Sequence, residues 1–166
     1  HQRADLPTPR PGRARVEVTV APKKNTPLPG PTVFIDGECM LCNHTVAFLA
    51  ARDSQSILRF AHLQGPLAAQ WLTPAARDVG PGGAVVFIEP DRGGRSSTRS
   101  AAILRILGRL GRGWSLVAML ASVPGVPRAL DVIYRHVARN RDRWFGRDEK
   151  CLVPTPDLRA RFLEPL

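Results

Sequence analysis

In the run Asp36-Gly37-Glu38-Cys39-Met40-Leu41-Cys42, two cysteines separated by two residues follow a short apolar stretch and open an amphipathic one. The CxxC spacing serves zinc ribbons and redox enzymes alike, so spacing alone decides nothing. Strand, Asp-Gly turn and helix start together read as a dithiol built for exchange with disulfides. Only a thiolate attacks a disulfide, and an unperturbed cysteine, with a pKa near ~8.5, is only a few per cent ionised at neutral pH. A helix N-terminus at Cys39 corrects this, because first-turn N–H groups without helical partners and the positive end of the helix dipole both favour the anion. A fall to about 7 is expected to ionise roughly half of Cys39 while keeping it nucleophilic. Cys42 lies one turn on, aligned with Val46 and Leu49, and is expected to be the more buried, less ionised thiol. In the implied cycle Cys39 attacks a substrate disulfide, and Cys42 resolves the mixed disulfide. The Cys39–Cys42 disulfide is then the only redox group required, with no separate cofactor or metal, and an external thiol recharges it.

Other residues near this run carry two readings each. Asp36 either relays a proton to or from Cys42 or shapes the Asp-Gly turn and the helix start. Glu38 would oppose a thiolate if it pointed inward, so it is expected in solvent. His44 falls on the helix face away from the buried stripe and is expected to be exposed. His62 follows a strand at the dithiol end and is a candidate binding residue. Pro81, shortly before the next apolar strand, is the second binding candidate. Gly82 and Gly83 separate it from that strand, which favours an ordinary loop proline. Cys151 reads as a buried structural thiol or a third redox partner, and His136, among arginines, as part of a solvated face.

The elements that must position these groups alternate. Thr32 to Ile35 reads as a strand, Cys39 to Arg52 as a helix, Ile57 to Ala61 as a strand, and Pro66 to Leu72 as a helix. Ala84 to Glu89 is a strand, Asp91 to Gly94 a tight turn and Arg95 to Arg99 a polar strand. Ser100 is placed as the cap of a helix with Ile103, Ile106, Leu107 and Leu110 on one face. Continuously apolar strands belong at the centre of a sheet, so Thr32 to Ile35 and Ala84 to Ile88 are expected inside and the other two at the margins. The fold class is α/β, a thioredoxin-like β-α-β-α-β-β-α core with a four-stranded mixed sheet, followed by a C-terminal helical extension. That extension has helices near Trp114 to Ser122 and Pro127 to Asn140, the second with an apolar stripe of Leu130, Ile133, Tyr134 and Val137. A last short helix starts with Thr155 as N-cap and Pro156 at the first position. Residues 1–31 read as a flexible leader rich in proline and arginine, with Val16 to Val20 as a candidate edge strand, and 32–166 as one domain.

Composition bounds the function. A chain of 166 residues suffices for one domain with a real core. Its longest apolar stretch, Trp114 to Val123, falls far short of the roughly 20 residues that cross a bilayer. The net charge of +10 is carried almost entirely by arginine and is spread over the leader, the middle helices and the segment Arg135 to Lys150. Such dispersal, with only six Phe, three Trp and one Tyr, argues against nucleic acid as a partner. The basic run is read as a solubilising face, with Trp144 and Phe145 anchoring the C-terminal segment on the core. Three cysteines, two of them in a CxxC, do not make a secreted disulfide scaffold, and a reducing compartment, the cytoplasm, is expected. No charged segment followed by an apolar one suggests export in the sequence given.

Several separated motifs resemble those of the DCC thiol-disulfide oxidoreductases, small thioredoxin-like proteins. They are Phe34-Ile35-Asp36-Gly37-Glu38-Cys39-Met40-Leu41-Cys42-Asn43, Arg59-Phe60-Ala61-His62-Leu63-Gln64 and Ser100-Ala101-Ala102-Ile103-Leu104-Arg105-Ile106-Leu107. Pro127-Arg128, Tyr134, Val137-Ala138-Arg139-Asn140-Arg141, Arg143-Trp144-Phe145-Gly146 and Cys151 continue the likeness. It spans Thr32 to Leu163 with one departure, since similar proteins usually carry proline where this chain has His62. The resemblance implies thiol-disulfide exchange with a protein or small-molecule partner bearing a thiol or disulfide. The rival classes are a small zinc module, which would need two further ligands, and a catalytically idle interaction domain with a basic surface.

Overall fold

The computed structural model describes residues 27–78, 85–111, 113–119, 123–146 and 155–165. Pro81, Cys151 and the Val16 to Val20 run lie outside them. Strand β1, Thr32–Ile35, and strand β3, Val86–Glu89, are buried at every position. They occupy the centre of a four-stranded sheet of order β2-β1-β3-β4, with β2 at Arg59–His62 and β4 at Arg95–Thr98 on the margins. The polarity of the strands therefore orders the sheet as expected. β1 runs parallel to β2 across helix α1, Met40–Arg52, and antiparallel to β3, which forms a hairpin with β4. The hairpin reverses at Gly93 and Gly94, whose φ of 74° and 70° suit glycine. This is a thioredoxin-like α/β arrangement, the class expected.

Alternation along the strands splits the core in two. Val33, Ile35, Phe60 and Phe87 pack with Val46 and Leu49 of α1 and Ile106 of helix α3, Arg99–Arg109. Phe34, Ala61, Val86 and Ile88 face helix α2, Pro66–Trp71, through Leu67 and Ala68. Each fully buried phenylalanine here contributes roughly 1.5–3 kcal/mol. Leu28, ahead of β1, is buried in the second cluster.

Three boundaries move for identifiable reasons. β2 begins at Arg59 rather than Ile57 because the Asp53 carboxylate takes the amides of Ile57 and Leu58 at 3.2 and 2.9 Å, closing the exit from α1. α3 begins at Arg99 with Thr98 at the N-cap position, and Ser100 is not its cap. The Arg99 N–H still donates to Val85 O at 3.0 Å, and its φ of 55° then turns the chain straight into the helix. Helix α5 runs over Val126–Phe145, beyond the expected end at Asn140, and stops at Gly146, φ 79°.

The C-terminal part docks on α1 and α3. Helix α4, Trp114–Met119, sets its Trp114 ring edge-on to Phe48 at 5.6 Å. On α5 the buried residues are Ala138 and Arg141, whereas Ile133, expected in the apolar stripe, is 58% exposed. Trp144 and Phe145 are exposed too, Trp144 leaning on the His136 ring, so neither anchors the segment as the sequence suggested. Helix α6, Pro156–Arg159, is capped by Thr155 as expected, its hydroxyl accepting from Leu158 N at 3.4 Å. Behind it Phe162 bridges in parallel to Phe60, adding a short rung outside β2.

Candidate active site

The end of β1 and the start of α1 bring the dithiol together. Cys39 stands at the N-cap position with an extended backbone, φ −89° and ψ 115°, and Cys42 follows in the first turn. The two cysteines approach to 3.3 Å, and both are free thiols. That separation fits a hydrogen-bonded dithiol rather than a bond of roughly 2.0 Å.

The protons are shared unequally. Donation from the Cys42 side chain holds Cys39 well below the usual thiol value, at about 6, despite the opposing effect of burial. The backbone N–H of Cys42 and the positive charge of Arg141 pull in the same direction more weakly, and Asp36 pushes against them. Cys39 thus ionises more readily than its helix position alone suggested. Cys42 moves the opposite way, pushed up first by its hydrogen bond to Cys39, then by burial and by the Cys39 charge. Neither thiol has much accessible surface, none at Cys39 and 7% at Cys42, but Cys42 lies deeper in the fold and Cys39 nearer its surface, as expected. What sets their acidities apart is which sulfur donates and which accepts.

Asp36, the residue after β1, is buried beneath this pair. Its Oδ1 accepts from Glu38 N at 3.2 Å and from Gln64 Nε2 at 2.9 Å. Its Oδ2 accepts from Arg141 Nη2 at 2.7 Å. The Glu38 bond is the turn-shaping role read from the sequence, and Glu38 itself is exposed. His44 is exposed as expected. Asn43 Nδ2 donates to Gly37 O at 3.4 Å, tying the turn to α1.

His62 stands opposite Ile35 in the β1–β2 ladder, and its ring covers Gly37 so closely that a Cβ there would fall on the imidazole. The ring also stacks on Phe162, 5.4 Å between ring centres. Burial lowers its pKa, against weaker pulls from Glu164 and Asp36. His62 thus packs from β2 against the turn that carries the dithiol.

Arg141 is the residue that sequence reasoning missed. It arrives from α5 with 7% of its side chain exposed and sets Nη1 4.0 Å from Cys42 Sγ. Burial works against its charge, but the two thiols and Asp36 outweigh that and raise its pKa. One turn and two turns earlier on the same face lie Ala138 and Tyr134, whose hydroxyl accepts from Val85 N at 3.1 Å. The spacing of positions 134, 138 and 141 was the available signal, masked because Arg141 sits among arginines that face solvent. No three metal-ligating side chains converge among the described residues, nor is any described helix long and apolar enough to cross a membrane.

A family model described as DCC1-like thiol-disulfide oxidoreductase matches residues 33–147. The uncharacterised protein YuxK of Bacillus subtilis is 32% identical over 136 residues, covering 82% of this chain and 96% of YuxK. A chloroplast DCC family protein of Arabidopsis thaliana is 33% identical over 122 residues, covering 73% of this chain and 68% of its own length. No solved structure matches significantly.

Proposed function

This chain belongs to the DCC1-like thiol-disulfide oxidoreductase family, and on that footing we propose that it exchanges its Cys39–Cys42 dithiol with disulfides. The observation that carries this reading is a pair of free cysteines 3.3 Å apart in which one sulfur is held as an anion near pH 6 by a proton kept on the other. At pH 7 a thiol of that pKa is about nine-tenths thiolate.

In the proposed cycle the Cys39 thiolate attacks one sulfur of a substrate disulfide and expels the other, which leaves as a thiol after taking a proton from solvent. The new Cys39–substrate bond is the mixed disulfide. Cys42 then displaces the substrate sulfur from Cys39, loses its S–H proton, and closes the Cys39–Cys42 disulfide as the second thiol departs. External thiols reverse the sequence and restore the dithiol. Because Cys39 is enclosed, its neighbours must part for a substrate sulfur to reach it, which favours small or extended partners over a bulky folded surface. Protein and small-molecule disulfides of a reducing compartment such as the cytoplasm are the proposed substrates. Asp36 shapes the turn beneath the thiols, and His62 flanks the approach over Gly37.

Reduction of glutathione disulfide or insulin, with thiol as the final donor, tests this reading. Wild type is expected to turn over and Cys39→Ser to lose activity entirely. Equal turnover by the two proteins would remove the dithiol from the chemistry.

A further inference from the structure

We infer that Arg141 is a working residue of this site: its fork neutralises the buried Asp36 carboxylate through Nη2 and, through Nη1, sets a positive charge against Cys42 as that thiol gives up its proton in the resolving step. The inference rests on the exchange reading above.

The geometry assigns both jobs to one planar group. Nη2 lies 2.7 Å from Asp36 Oδ2 and Nη1 lies 4.0 Å from Cys42 Sγ. A guanidinium holds its donors in a fixed plane, so docking one nitrogen on the carboxylate aims the other. Among the described residues, the ionisable groups that act on Cys42 besides Arg141 are Cys39 from the start of α1, Asp36 after β1, and Tyr134 on the same face of α5. Cys39 and Asp36 oppose a negative charge on Cys42, and Arg141 favours it.

The demand for such a charge arises at one point of the cycle. In the resting dithiol Cys42 keeps its proton because Cys39 is an anion beside it. Once Cys39 is bonded to substrate, that anion is gone, and Cys42 must become a thiolate to attack. The S–H of Cys42 and the Cys39–substrate bond break, the Cys39–Cys42 bond forms, and the proton leaves with the departing substrate thiol. A bare Asp36 would raise the barrier to this step by repelling the new anion. Paired with Arg141, and with its oxygens already accepting from Glu38 N and Gln64, it acts as a counter-ion that fixes the guanidinium. In this scheme the Cys42 proton passes to the departing substrate sulfur and not through Asp36.

Mixing reduced protein with the chromogenic disulfide dithiobis(nitrobenzoate) separates the steps, since attack by Cys39 releases one coloured thiol and resolution by Cys42 releases a second. Arg141→Met is expected to slow the second release at least about tenfold and the first much less, because Cys39 is held chiefly by Cys42. Arg141→Lys recovers part of the loss. Asp36→Asn takes away the negative charge that opposes an anion on Cys42, so the pH midpoint of its second release is expected to move down. A midpoint of the second release that stays in place or moves up in Asp36→Asn would overturn the inference. Folded Arg141→Met resolving at the wild-type rate would overturn it too. Should circular dichroism find Arg141→Met unfolded, the Asp36→Asn result decides alone. Failure of the exchange reading looks different: a first release unchanged in Cys39→Ser.

Discussion

Asp36 Oδ2 and Arg141 Nη2 meet at 2.7 Å across 105 residues of chain, at 1% and 7% side-chain exposure. The pair joins the first strand of the core to the last long helix, and its two charges satisfy each other where water does not reach. Removing one partner of such a pair is far more damaging than removing both, because the survivor stays buried with its charge uncompensated.

Arg141→Ala is accordingly expected to lower unfolding free energy by about 3–5 kcal/mol. Asp36→Asn should lose stability too, since its single amide oxygen cannot accept both from Arg141 on one side and from Glu38 N and Gln64 on the other. The double variant Asp36→Asn/Arg141→Ala should lose less stability than the two single losses added together. Urea unfolding of the four proteins measures all three terms, and strict additivity would deny the coupling.

Alkylation of Cys39 by iodoacetamide should rise through pH about 6 and level off near neutrality. The sign follows from the depressed value: the thiolate is favoured in the fold above pH 6, and its stabilisation fades as pH falls through that point. Cys42→Ala removes the donor that dominates the shift and should move the midpoint up by at least one unit. Cys42→Ser keeps a donor and should fall between. Since Cys39 is enclosed, a bulky maleimide should react much more slowly than iodoacetamide at the same pH. A midpoint near the ordinary thiol value, unmoved by Cys42→Ala, would contradict the proton-sharing geometry.

The sequence carried the fold where patterns are strong and local. Strand order followed from the apolar runs at Thr32 to Ile35 and Ala84 to Ile88, and the Cys39 helix start from strand, turn and CxxC in succession. Legibility failed where tertiary contact overrides local signal. Ser100 lost its capping role to the ladder bond at Arg99, and Ile57 left β2 for the Asp53 carboxylate. Arg141 shows the limit most clearly, because its chemistry arises from Asp36 and Cys42, both about a hundred residues away. Neighbouring charge in the sequence pointed only to solvent.

The close approach of His62 to Gly37 makes that glycine a packing requirement of the site. Gly37→Ala forces a methyl group into the imidazole and should destabilise by about 1–3 kcal/mol. His62→Ala opens the space, so the double variant Gly37→Ala/His62→Ala should recover much of the loss relative to His62→Ala alone. Thermal unfolding of the four proteins reads the coupling. If Gly37→Ala were harmless in the wild-type background, His62 would not be held over the turn as described.

The C-terminal segment should prove part of the fold rather than an appendage. Phe60 N donates to Arg161 O and Phe60 O accepts from Leu163 N, both at 3.0 Å, so residues 161–163 cover the outer edge of β2. Arg161 Nη1 lies 3.2 Å from the buried Asp53 Oδ2, and Glu164 accepts from Leu67 N in the first turn of α2. Phe162 packs on Phe60 and His62 at 5.7 and 5.4 Å between ring centres. Ending the chain at Ala160 removes these contacts at once, strands the Asp53 charge and bares the ladder groups of Phe60. The truncated protein is expected to unfold at markedly lower urea and to associate through the opened edge. Phe162→Ala, which spares the backbone rung and both charged contacts, should lose about 2–3 kcal/mol and stay monodisperse by light scattering relative to its parent. Association of the point variant to the same extent as the truncation would mean that Phe162 packing, and not the covered strand edge, protects β2.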